Sequence, residues 1–135
     1  MIRLLVVIWF PKGMTPDIGP EDYAQDPRAQ EIATAAKHLH ELTENWVRPP
    51  ELVRREPEVC SGYPDRILPI SPAADLLKTR TLKNLYDKRP TWLKNAHRHL
   101  DIAVLAAYDW PADLTDNQIL ERLFELNQKR ADSDA

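Results

Sequence analysis

Apolar residues recur at helical spacing in four stretches of the chain. Ile32, Ala36, Leu39, Leu42 and Trp46 fall three and four apart behind Asp26-Pro27, a capping residue followed by a proline at the first helical position, and Pro49-Pro50 closes the run. A helix is predicted over 27–46. Ser71-Pro72 repeats the opening signal, and Ala74, Leu77, Thr81 and Leu85 carry a second helix over 72–87. Pro90 opens the third and strongest, over 90–108, where Leu93, Ala96, His97, Leu100, Ala103, Val104 and Ala107 form one stripe, closed by Tyr108 and Trp110. Asp109 stands where that helix must stop, at a position that favours the left-handed conformation. Thr115 with Gln118 three residues on makes a capping box, and the fourth helix over 115–129 is expected to bury Ile119, Leu120, Leu123, Phe124 and Leu126 before RADSDA frays.

The first part of the chain is patterned differently. Residues 4–10 are β-branched, aromatic and leucine-rich and are bounded by Pro11 and Gly13, which favours a short strand with no second strand of like quality to pair with. Residues 10–22 read as an extended arm, because each proline biases its predecessor away from helix. Residues 51–71 read as a linker with a turn at Ser61-Gly62. The fold class expected is mainly α: a small helical bundle preceded by a Pro-rich extended arm and one short N-terminal strand. Its segments would be 1–26 (strand and arm), 27–71 (helix plus Pro-rich linker) and 72–135 (a C-terminal helical domain).

Composition sharpens this picture. Ten of the 12 prolines and all three glycines precede residue 73, which concentrates irregular structure there. Apolar residues at 43% and charged residues at 29% are those of a globular chain able to bury one modest core. The apolar run near the N-terminus is too short to span a bilayer and lacks a small-residue cleavage site, so neither membrane insertion nor secretion is expected. The single cysteine, Cys60, fits a reducing cytoplasm and an inert thiol.

Charge is unevenly placed. Residues 78–98 hold seven cations against Asp87, a local charge of +6 in a chain whose total is −3, which leaves −9 elsewhere. That stretch is either a solvated face or a surface that meets an acidic partner, and the candidates for DNA or docking contact are Arg80, Lys83, Asn84, Arg89, Lys94 and Arg98. Catalytic chemistry is harder to assemble. The sequence has no glycine-rich phosphate loop, no paired CxxC and no HExxH. His38 and His40 are two apart and point to different helix faces, so they make a poor metal pair, and His97 sits in an apolar stripe as a hydrogen-bonded core histidine would. The acids Asp113, Asp116 and Glu121 stand where a helix start attracts negative charge. No catalytic, cofactor or metal residue is assigned.

Residues 80–130, RTLKNLYDKRPTWLKNAHRHLDIAVLAAYDWPADLTDNQILERLFELNQKR, resemble the C-terminal end of the MmeI-like type II restriction-modification proteins. The shared positions include Arg80, Thr81, Leu82, Asn84, Leu85, Tyr86, Arg89, Pro90, Trp92, Leu93, Ala96, His97, Leu100, Asp101, Trp110 and Pro111. FPKGMTP from Phe10, DPRAQEIATAAKHL, ENWVRPPE and GYPDR are similar as well, so the resemblance runs from about residue 9 to residue 130. It departs at Lys83, Asp87 and Asp109, where the family has Thr, Asn and Gly, and residues 1–8 do not resemble it, as in a re-initiated or truncated reading frame. The resemblance implies a bacterial protein that transfers a methyl group from S-adenosylmethionine to adenine N6 in DNA, with this segment on its DNA side. The family's NPPY-type loop and glycine-containing cofactor loop are missing from the sequence, so no cofactor is assigned to this chain, and a methyltransferase body or homologous subunit is its expected partner. Two other readings stay open: a free-standing protein–protein adaptor, and a truncated gene remnant without independent function.

Overall fold

In the computed structural model, which describes residues 24–133 together with Glu21, the chain is mainly helical with one two-stranded sheet. The strand expected over 4–10 and nearly all of the extended arm over 10–22 lie outside these residues.

Helix α1 spans Pro27–Val47. Asp26 starts it as its type and position require: its carboxylate accepts the Arg28 backbone N–H at 2.9 Å, which satisfies a donor the first turn leaves unpaired, and the Arg28 guanidinium folds back on the same carboxylate at 2.6 Å. The hydrogen bond from Arg28 holds the Asp26 carboxyl below its ordinary range. Ile32, Leu39, Leu42 and Trp46 are half-buried, whereas Ala36 is exposed.

A 3-10 turn at Pro50–Leu52 leads into strand β1, Val53–Glu56, which pairs antiparallel with β2, Arg66–Pro69, in the register Val53 to Pro69 and Glu56 to Arg66. Residues 53–69, most of the stretch expected as a linker over 51–71, therefore form a hairpin. The strands escape sequence reading because they are only four residues long and half charged, and because Pro69 sits at the end of the ladder, where its missing N–H costs least. The expected turn is present: Gly62 has φ +91°, a conformation glycine adopts freely, and the Tyr63 N–H donates to the Cys60 carbonyl at 3.4 Å.

The helix expected over 72–87 is two helices, α2 (Ala74–Lys78) and α3 (Leu82–Lys88). Ser71-Pro72 does not cap the first; the two residues lie inside a turn closed by the Ala73 N–H on the Ile70 carbonyl at 2.6 Å. The break falls at Thr81, which is extended (φ −99°, ψ 152°) and accepts the Asn84 N–H on its hydroxyl at 3.2 Å. A threonine hydroxyl competes with the helical ladder and gains more as a cap than inside a helix.

Helix α4 covers Thr91–Ala107 and α5 covers Asp116–Ser133, ending four residues later than expected because residues 130–133 stay helical rather than fraying. The end of α4 is a Schellman motif: Asp109 is left-handed (φ 59°), its N–H donates to the Ala106 carbonyl at 3.0 Å, and the Trp110 N–H reaches the Leu105 carbonyl at 2.9 Å. The capping box of α5 also forms, with the Thr115 N–H on Gln118 Oε1 at 2.9 Å and the Gln118 N–H on the Thr115 hydroxyl at 3.3 Å.

The chain divides into two compact units, one made of residues 36–98 and the other of the residues before Ala36 with those from His99 onward. In the first, Leu85 and Leu93 are fully buried and Ala96 nearly so. In the second, Leu105 and Ala107 are buried; Leu105 lies off the stripe read from the sequence. There the Tyr108 and Trp110 rings stack with centroids 4.8 Å apart, and the Arg122 guanidinium lies over the indole ring at 5.9 Å from its centroid. The fourth helix departs most from its expected burial. Ile119, Leu123 and Leu126 are half-buried, but Leu120 and Phe124 are 63% and 62% exposed.

Candidate nucleic-acid interface

The basic stretch folds as α3, a two-residue connection and the first half of α4, all in the unit of residues 36–98. What holds this pair together is apolar. Leu85 projects from α3 and Leu93 and Ala96 from α4 into the buried interior, each leucine worth about 2 kcal/mol of transfer free energy. One polar bond reinforces the pair: Tyr86 Oη lies 2.8 Å from His97 Nε2, with the two rings edge to face at 5.5 Å. His97 is thus the hydrogen-bonded, half-buried histidine its place in the stripe predicts.

The connection is Arg89-Pro90. Arg89 is the left-handed C-cap of α3 (φ 43°, ψ 62°), and its N–H closes the helix on the Leu85 carbonyl at 3.0 Å. Pro90 follows at once, and its carbonyl accepts from the Leu93 and Lys94 N–H groups at 3.0 and 3.1 Å. The helix stops just before Pro90, as the proline requires, but on a left-handed arginine where glycine or asparagine is the usual signal.

The six candidate residues separate into two groups. Arg80 is half-buried with its guanidinium 4.6 Å from the centroid of the Trp46 ring, an internal cation–π contact. Asn84 turns its side-chain amide to the Thr79 carbonyl at 2.8 Å and so splices α2 to α3. Lys83 forms an i,i+4 ion pair with Asp87 at 2.6 Å. Arg89, Lys94 and Arg98, by contrast, are exposed, as is Lys88, and none of these four takes part in an ion pair among the described residues. Lys94 and Arg98 are one turn apart on the same face of α4, so their heads reach a common region.

Elsewhere the chemistry is sparse. His38 and His40 are exposed on α1, and among the described residues no three His, Cys, Asp or Glu side chains gather as a metal site would require. No described helix is long and apolar enough to cross a membrane. No family model matches the chain, and comparisons with curated proteins and with solved structures give no significant match.

Proposed function

We propose that this chain is a non-catalytic, DNA-side or assembly module of an adenine-N6 DNA methyltransferase or restriction-modification protein. S-adenosylmethionine would be bound by a methyltransferase body or homologous subunit and not by these residues. The observation that carries it is the group of exposed cations, Lys88, Arg89, Lys94 and Arg98, which take part in no ion pair among the described residues and lie on two consecutive helices. The helix pair itself is built from positions that the resemblance shares: Leu85, Leu93, Ala96 and the Tyr86–His97 pair. Cations without internal partners release counterions when they meet a phosphate backbone, so the face binds duplex DNA through charge and with little sequence preference. The net charge of −3 keeps such binding weak in the isolated chain, and the partner body completes the footprint.

The test is duplex binding followed by fluorescence anisotropy at several salt concentrations, for the wild type and for Lys94→Ala combined with Arg98→Ala. Two lost phosphate contacts lower the slope of log K against log salt by about 2. Identical affinity and slope in the two proteins would remove DNA from the function and leave the face as a docking or solvated surface.

A further inference from the structure

The second unit carries a surface of opposite character. Leu120 and Phe124 lie one turn apart on α5, 63% and 62% exposed, and exposed Ala131 continues their line. Glu121, Glu125 and Asp132 run alongside, one helical position on. All three acids are exposed and none takes part in an ion pair among the described residues. On the far side of Glu121 and Glu125 lies a groove of about 540 Å³, floored by Trp110, Leu114 and Leu126. Two cations, Arg122 and Lys129, also line that groove, and Arg122 stands 5.9 Å from the centroid of the Trp110 ring.

Two large apolar side chains in register on one helix face, edged by free carboxylates, define what can cover them. A second copy of α5 packed antiparallel would bring Glu121 and Glu125 against their own counterparts, a like-charge contact that opposes pairing. A segment with apolar anchors at the same spacing and cations along its edge meets both demands at once. We infer that the Leu120–Phe124 face of α5 docks a basic amphipathic helix of a partner protein, with Glu121 and Glu125 receiving its lysines or arginines. This docking is independent of DNA binding, since it uses neither the residues nor the unit of the cationic face.

Fluorescence anisotropy with three synthetic helical peptides tests it on the full chain. One has leucines at i, i+4 and i+7 edged by lysines; one has the same composition in an order that destroys the stripe; one has the stripe edged by glutamates. The lysine-edged peptide binds at least about tenfold more tightly than either of the others. Leu120→Ser with Phe124→Ser weakens it about 100-fold with the circular dichroism unchanged, and Glu121→Gln with Glu125→Gln weakens it about fivefold. Equal binding of the scrambled peptide would reduce the effect to bulk charge, and equal binding of the glutamate-edged one to indiscriminate apolar adhesion. Either result overturns the assignment. So does wild-type affinity in the Leu120→Ser, Phe124→Ser protein, or a wild-type dimer in sedimentation that those substitutions dissolve, which would make a second copy the occupant.

Discussion

Arg80 belongs by charge to the basic stretch and by position to the interior, and a double-mutant cycle separates the two roles. Arg80→Met keeps the aliphatic stem and removes the guanidinium; Trp46→Leu keeps an apolar side chain and removes the ring. At 4.6 Å from the ring centroid and half-buried, the guanidinium stands between the exposed and the desolvated limits of a cation–π pair, which gives a coupling of about 1 kcal/mol. Trp46→Leu alone costs more, about 2 to 3 kcal/mol, because it also leaves a void beside half-buried neighbours. Urea unfolding followed by circular dichroism yields the four stabilities, with the coupling read as the departure from additivity. The same proteins are then titrated with duplex DNA, where Arg80→Met leaves affinity unchanged while Lys94→Ala with Arg98→Ala lowers it. A coupling below about 0.3 kcal/mol refutes the internal role of Arg80, as does a loss of DNA affinity in Arg80→Met equal to that of the double alanine variant.

Three further outcomes follow from single features. Asp109→Gly relieves a left-handed aspartate at φ 59° and stabilises the protein by about 0.5 kcal/mol in urea unfolding, the relief of strain exceeding the entropy that glycine adds to the unfolded chain. Asn127→Leu removes an Oδ1 that is buried without a hydrogen-bond partner among the described residues and raises stability by about 1 kcal/mol, whereas Asn127→Asp lowers it, both read from urea midpoints. The Asp26 carboxyl titrates below the ordinary aspartate value because Arg28 bonds to its charged form. Its contribution to the start of α1 is therefore complete above that value and fades as pH falls through the lowered one; a side-chain NMR titration that shows an ordinary value in the wild type, or no rise in Arg28→Ala, contradicts this.

Which features could be read from the sequence depended on whether their cause is local. The Asp26-Pro27 start of α1, the Thr115–Gln118 box and the left-handed stop at Asp109 are settled within a few residues, and all three are present. The break at Thr81 is local too, but a threonine at an apolar-stripe position reads equally as cap and as helix interior, and only the geometry chooses. The β1–β2 hairpin was hidden because its strands alternate poorly and neither face is deeply buried. Burial on α5 was misjudged at Leu120 and Phe124, since spacing shows that residues share a face and says nothing about whether another element covers it. At the candidate interface the basic run was legible and its division was not. That Trp46 takes Arg80 and Asp87 takes Lys83, leaving Arg89, Lys94 and Arg98 exposed and outside any ion pair among the described residues, depends on contacts formed after folding.

The loop between β1 and β2 holds Cys60, exposed to solvent and the one cysteine of the 135-residue chain. A maleimide fluorophore added to the unmutated protein therefore attaches at a single thiol, with stoichiometry fixed by chemistry and with the helices that bear the cations and the acids left untouched. The native sequence carries its own labelling handle, so anisotropy titrations with unlabelled DNA or unlabelled peptide can be run on one and the same dye conjugate.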